Sequence, residues 1–298
     1  MLTYLKLIKL ENLILIAIAQ LCIKYGLFEH IDITLNGFGI SLLIIATISL
    51  VAAGNIMLYI QNSEHLGNKE SSKTIPSEKV LNRLFIVFNI IGVGIGFYIS
   101  NLIDKPKLAA LFIVVSGILY MYSTYLKEIL VVKNLTIAAL MALGLISVAI
   151  FDLLPAITEQ NRISQKVVFL IIIDYSIFAF IVIVIREIIK DCLMIDQDHN
   201  AGIQTVPIAL GKDRTAKLIS GLTIIPIGMI IYYVYTYLFN NSIAVVLALV
   251  LLVAPLLYFM IKSWNADTNK DFKILMYILK WILFIAALSL VSYQFILK

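Results

Sequence analysis

Nine apolar stretches recur through this chain, at residues 10–28, 38–60, 84–103, 108–126, 135–155, 167–186, 218–239, 243–261 and 274–296. Each is close to the length of about 20 mostly apolar residues that a helix needs to cross a bilayer. Hydrocarbon offers backbone groups no water, so a segment must bond its own N–H and C=O groups, and a helix does this within one stretch. The pattern predicts an all-α, polytopic membrane protein of nine transmembrane helices, with residues 1–298 forming a single transmembrane domain. Only 14% of the residues are charged and 61% are hydrophobic, whereas soluble domains carry about 25% charge. A separate soluble domain has no room, and disordered or disulfide-scaffold chains are excluded. The net charge of +5 comes from basic residues scattered between the apolar stretches. A membrane surface explains them, and no nucleic-acid partner is expected. The two cysteines, Cys22 in an apolar run and Cys192 in a polar one, support neither a zinc cluster nor a disulfide framework.

Details within the spans are informative. Lys24 interrupts the first, where a lysine near a helix end can snorkel to the interface. That segment is too polar at its start to be a cleavable signal peptide. Pro226 and Pro255 fall inside spans seven and eight, where neighbouring helices and local backbone adjustment absorb such breaks. Sixteen lysines and arginines precede span one or follow spans two, four, six and eight, against five on the opposite side. By the positive-inside rule the richer side is cytoplasmic, which puts the N-terminus inside and the C-terminus outside. Residues 61–83 and 187–217 stand out as long polar loops on that cytoplasmic side, and each carries a Thr-x-Pro, at Thr74–Pro76 and Thr205–Pro207.

The densest polar cluster runs from Arg186 and Glu187 through Lys190 and Asp191 to Asp196 and Asp198. If span six continues as a helix, Asp191 and Asp198 lie two turns apart on one face. Two carboxylates at the mouth of a bundle suit Mg²⁺, which keeps waters and completes its shell with substrate phosphate oxygens. A charged juxtamembrane segment pairing its own acids and bases gives the same spacing. The end of span two offers Asn55, Tyr59 and Asn62, polar but without the negative charge a metal prefers. Tyr122 and Lys127 close span four on the same side, where a lysine neutralises a diphosphate or simply anchors the helix. Lys6, Lys9 and Asn12 open span one in a similar way. Asp152 and Asp174 are the acids deepest within spans, and a packing role fits them as well as a polar cavity does.

Taken together, these residues resemble the UbiA family of intramembrane prenyltransferases, most closely its geranylgeranylglycerol-phosphate geranylgeranyltransferase branch. The resemblance rests on Arg186, Glu187, Lys190, Asp191, Asp198, Gly202, Thr205, Pro207 and Gly211, whose order and spacing match the family's second polar motif. Lys127, with Tyr122 and Ser123 before it, matches the lysine-bearing motif after span four, and Asn12 matches a first-helix asparagine. The resemblance implies a UbiA-like bundle in a membrane, such as a bacterial inner membrane. It implies transfer of a prenyl group from a prenyl diphosphate to a lipid or aromatic, quinone-type acceptor, with Mg²⁺ as cofactor. Asp191, Asp198 and Lys127 would be catalytic, Asp191 and Asp198 would hold the metal, and Asn12, Tyr59, Asn62, Tyr122, Arg186 and Lys190 would contact substrate. Phe88, Tyr98, Phe178 and Phe180 are candidate neighbours of the prenyl tail.

The departures are as specific. The family's first aspartate-rich motif falls here on Leu58, Tyr59, Asn62 and Leu66, and its acids are gone. Met194 stands where the second motif usually has an inner aspartate. The alternative function is therefore a lipid-binding or accessory membrane protein that keeps the fold without the chemistry.

Overall fold

The structure, a computed structural model, describes residues 5, 7–28, 31–65 (backbone alone over 61–65) and 77–293. Thr74, Pro76 and Leu66 lie outside the described residues. Nine helical spans, each long and apolar enough to cross a membrane, run through the rest: Leu10–Leu27, Gly37–Ile60, Glu78–Leu102, Pro106–Thr124, Val132–Ala156, Arg162–Leu193, Lys212–Leu238, Ser242–Trp264 and Asn269–Ser292. No strand occurs among the described residues. The nine expected stretches are all present. Several helices nonetheless overrun the apolar runs that announced them, because a helix stops where its backbone is capped, and hydropathy falls away earlier. Span nine starts at a Thr268–Asp271 capping box, five residues before its apolar run begins.

The chain forms two compact units, residues 1–127 with 143–172, and residues 128–142 with 173–298. Spans five and six each contribute to both. In the first unit spans two, three and four pack on one another and span one lies against span two. Small residues make this possible, since apolar side chains gain little by leaving lipid for protein and close van der Waals approach has to supply the attraction. A Cβ on Gly96 would lie 2.3 Å from the Phe112 ring, and one on Gly92 would lie 2.7 Å from Leu50. Gln20 adds a polar tie by donating to Thr47 Oγ1 at 3.2 Å and to the Gly144 carbonyl at 2.8 Å. In the second unit span eight packs against spans seven and nine.

Two of the π-helical turns within the spans precede a proline. Pro155 follows a π-helical turn at Ala149–Leu153, and Pro255 follows another at Leu249–Val253. Proline cannot donate to the carbonyl four residues back and its ring crowds that carbonyl, so a wider turn ahead of it accommodates both defects. Pro226 acts differently: span seven breaks at Thr223, between Lys212–Leu222 and Ile224–Tyr233.

The first π turn places Asp152 where Lys24 can reach it. Asp152 is fully buried, Lys24 is 5% exposed, and their charged atoms lie 2.5 Å apart. Lys24 therefore does not snorkel. Its ammonium also donates to the Leu35 carbonyl, while Asp152 Oδ1 accepts from the backbone N–H groups of Thr34 and Leu35 at 3.0 and 2.7 Å. A buried charge survives only when paired and hydrogen-bonded. Here every carboxylate oxygen has a partner, so Asp152 takes the packing role and ties the turn after span one to the end of span five.

Candidate active site

The segment 187–217, expected as a polar loop, is mostly helical. Span six continues as helix to Leu193, and short helices follow at Ile195–Asn200 and Val206–Leu210 before Lys212 opens span seven. The turn chemistry explains the motif's spacing. Gly202 and Gly211 have φ of 72° and 83°, a left-handed conformation open to glycine and strained for residues with a Cβ. Pro207 sits in the first turn of its helix, where a missing N–H loses nothing. Three of the motif's nine residues thus specify backbone shape.

Its aspartates come together for a reason the spacing did not supply. The helix breaks at Met194, so Asp191 and Asp198 do not share the face of one continuous helix. They meet through Lys133, near the start of span five. Its Nζ lies 2.7 Å from Asp191 Oδ1 and 3.5 Å from Asp198 Oδ2. Asn134 donates from Nδ2 to Asp191 Oδ2 at 3.0 Å, which engages both oxygens of that carboxylate. Asp191 is 4% exposed and Asn134 2%. Since a carboxylate can only accept, the carboxamide must turn its NH₂ toward Asp191 and its Oδ1 away. That Oδ1 is buried and has no hydrogen-bond partner among the described residues. All four residues belong to the second unit.

Lys133 and Asn134 were not among the expected site residues. In the sequence Lys133 is one more basic residue on the richer side. The one available signal was its position beside Lys127 at a helix start on the same side as the acids.

The other expected residues are placed as follows. Lys190 pairs with Glu187 at 2.8 Å, one turn back on its own helix, and Arg186 is half-buried beside them in sequence. Asp196 is exposed. In the first unit Lys127 is buried in the short turn Leu126–Glu128, Tyr122 is buried at the end of span four, and Asn12 is half-buried. Tyr59 packs with Met57 and Phe88 against a cluster of Ile56, Ile60 and Leu81. The Asn62 side chain lies outside what the structure describes. Of the proposed tail-contacting aromatics, Phe88 is part of that same packing, Tyr98 is exposed, and Phe180 is half-buried. Phe178 is buried and lines a cavity of about 650 Å³ in the second unit, together with Asp174, Tyr175, Tyr233, Leu252 and Tyr293. Asp174 lies 17 residues from Asp191 along span six, roughly 25 Å at the helical rise.

The oxygen donors at the acidic pair suit a hard divalent cation. No group of three or more His, Cys, Asp or Glu side chains that could hold a metal occurs among the described residues. Two carboxylates are a sparse donor set of the kind Mg²⁺ accepts, since it fills its remaining positions with water and phosphate. The residues fit that ion, with Lys133 standing between the two acids.

Helices long enough to span a bilayer, with one polar cluster at the end of a span, define an integral membrane protein of all-α build. Residues 33–288 match the UbiA prenyltransferase family, and the chain belongs to that family. It is similar to digeranylgeranylglyceryl phosphate synthase of Methanobrevibacter smithii, 27% identical over 282 residues and 92% of each chain. A UbiA homologue from Aeropyrum pernix, in its apo form, has the same fold with a TM-score of 0.65 at 13% identity, over 94% of this chain and 96% of that one. Another from Archaeoglobus fulgidus, bound to DMAPP and Mg²⁺, has a TM-score of 0.61 at 15% identity, over 97% and 99%.

Proposed function

We propose that this protein is a Mg²⁺-dependent prenyltransferase that moves a prenyl group from a prenyl diphosphate to a lipid acceptor within the membrane. The observation that carries the reading is the convergence of Asp191, Asp198, Lys133 and Asn134 at the end of span six. Asp191 and Asp198 would hold the ion. When bound, the ion supplies a Lewis acid that offsets charge on the departing diphosphate. Lys127 and Lys190, by their match to the family pattern, face the anionic phosphates, and Arg186, Tyr122, Asn12, Tyr59 and Asn62 are assigned to substrate on the same ground. The relative from Methanobrevibacter smithii, by its name a maker of a glycerol phosphate lipid, favours a lipid phosphate as acceptor over a quinone-type ring. Residues 1–298 act as one transmembrane domain in a bacterial inner membrane. The N-terminus and the segments 61–83 and 187–217 are cytoplasmic, and the C-terminus lies outside.

A second reading has one specific observation behind it. Tyr59, at a position where the family carries an aspartate, packs among apolar side chains. A member that binds a prenyl lipid without turning it over would keep the fold and lose that acid. The deciding experiment incubates purified protein with Mg²⁺, prenyl diphosphates of different chain lengths and a prenylglycerol phosphate acceptor. Transfer that disappears in Asp191→Asn supports the enzyme. Diphosphate binding with no transfer to any acceptor supports the second reading.

A further inference from the structure

We propose that Lys133 is a resident counter-ion of the acidic pair, holding the place between Asp191 and Asp198 until a diphosphate draws it away. The site then loads a divalent cation only together with its anionic substrate. This rests on the function proposed above and goes beyond it, because Lys133 lies outside the residues carried over from the family pattern.

The geometry is specific. The ammonium contacts both carboxylates, at 2.7 and 3.5 Å, and the lysine side chain is only 13% exposed. Asp191 has its second oxygen engaged by Asn134. A cation approaching Asp191 must therefore displace a partner that is already in place. With the lysine present the three charged groups sum to a single negative charge. Without it they carry two, which is a much stronger attraction for a divalent ion in a partly desolvated site. A diphosphate offers the ammonium several charged oxygens in exchange for two carboxylates. Once the lysine turns to it, both aspartates become available to the ion. In members with a full set of acids, repulsion among carboxylates would favour metal by itself. Here the acids are few, and the lysine sets the order of loading.

Mn²⁺ binding to the full chain in detergent micelles, read by electron paramagnetic resonance, tests this without turnover. The second ligand is geranyl thiodiphosphate, whose bridging sulfur resists cleavage. Asp191→Asn supplies the background from Mn²⁺ complexed by the analogue in solution. Wild type is expected to bind Mn²⁺ weakly alone and at least about tenfold more tightly with the analogue. Lys133→Met is expected to bind Mn²⁺ alone about tenfold more tightly than wild type, with the gain from the analogue reduced to about twofold. Lys133→Arg, which keeps the charge, retains the wild-type coupling. A merely structural lysine would not, on removal, improve metal binding. If Lys133→Met binds Mn²⁺ no better than wild type, while melting like it and while wild type still binds Mn²⁺ with the analogue, this inference falls and the proposed function stands. Should Lys133→Met fail to fold, wild type decides: no tightening by the analogue overturns the inference. No site-bound Mn²⁺ in wild type under either condition overturns the inference and the proposed metal site together.

Discussion

Replacing either member of the Lys24–Asp152 pair is expected to destabilise the first unit, and by unequal amounts. Asp152→Ala leaves a buried ammonium whose remaining described acceptor is the Leu35 carbonyl, and it strips Leu35 N–H of its acceptor. Thr34 N–H keeps one, because it also donates to the Asp152 backbone carbonyl at 3.0 Å. Removing one partner of a buried pair costs about 3–5 kcal/mol, so Asp152→Ala belongs at the upper end. Lys24→Met leaves the carboxylate two backbone donors, and about 1–3 kcal/mol is expected because hydrogen bonds to a charged group offset part of its burial. The double variant Lys24→Met with Asp152→Leu removes both charges but takes the Asp152 acceptor from the Leu35 N–H and the Lys24 donor from the Leu35 carbonyl. Its loss should be about 2–4 kcal/mol, less than that of Asp152→Ala alone.

The assay is equilibrium unfolding in mixed detergent and SDS micelles, followed by far-ultraviolet circular dichroism. Tryptophan fluorescence would report the wrong half, since Trp264 and Trp281 both belong to the second unit. Lys107→Met, at an exposed lysine, is the control and should change little. A Lys24→Met loss equal to or greater than that of Asp152→Ala would refute the reasoning, because it would mean the two backbone donors do not support the carboxylate. Losses below about 1 kcal/mol in both single variants would refute it as well.

Other expectations follow from single contacts. Asp191→Asn should reduce prenyl transfer to background in the Mg²⁺ assay, since no third acidic ligand stands near enough to replace it among the described residues. Tyr59→Asp with Asn62→Asp should raise transfer and lower the Mg²⁺ concentration for half-maximal rate, by restoring two carboxylates one turn apart; an unchanged Mg²⁺ titration would count against the lost-motif explanation. Gly96→Ala should destabilise the first unit by about 1–3 kcal/mol in the same unfolding assay, because its Cβ would overlap the buried Phe112 ring. Thr268→Ala should cost about 1 kcal/mol through loss of the capping box on span nine, measured likewise.

The number of spans was legible because the bilayer imposes one length on every apolar run, and nine such runs cannot be arranged otherwise. Helix ends were less so. Glu78–Arg83 and Lys212–Lys217 are helical while too polar to register as membrane-spanning. The Lys24–Asp152 pair joins residues 128 positions apart, and sequence spacing carries no trace of such a contact. Its two charges instead looked like separate defects in two different spans.

The acidic site shows the same limit from the other direction. Asp191 and Asp198 stand out in the sequence for a helical periodicity that the break at Met194 cancels. Their meeting depends on Lys133, 58 residues before Asp191 in the chain. Charge counting along the sequence treats that lysine as an anchor facing phospholipid headgroups. Packing turns it inward, where its side chain is 13% exposed and bonded to two acids. A basic residue kept between two acidic ones neutralises much of the charge that would otherwise recruit metal. The first-motif positions, Leu58 and Tyr59 among them, carry no acid. The acidic pair is therefore poorer in negative charge than its aspartate count implies.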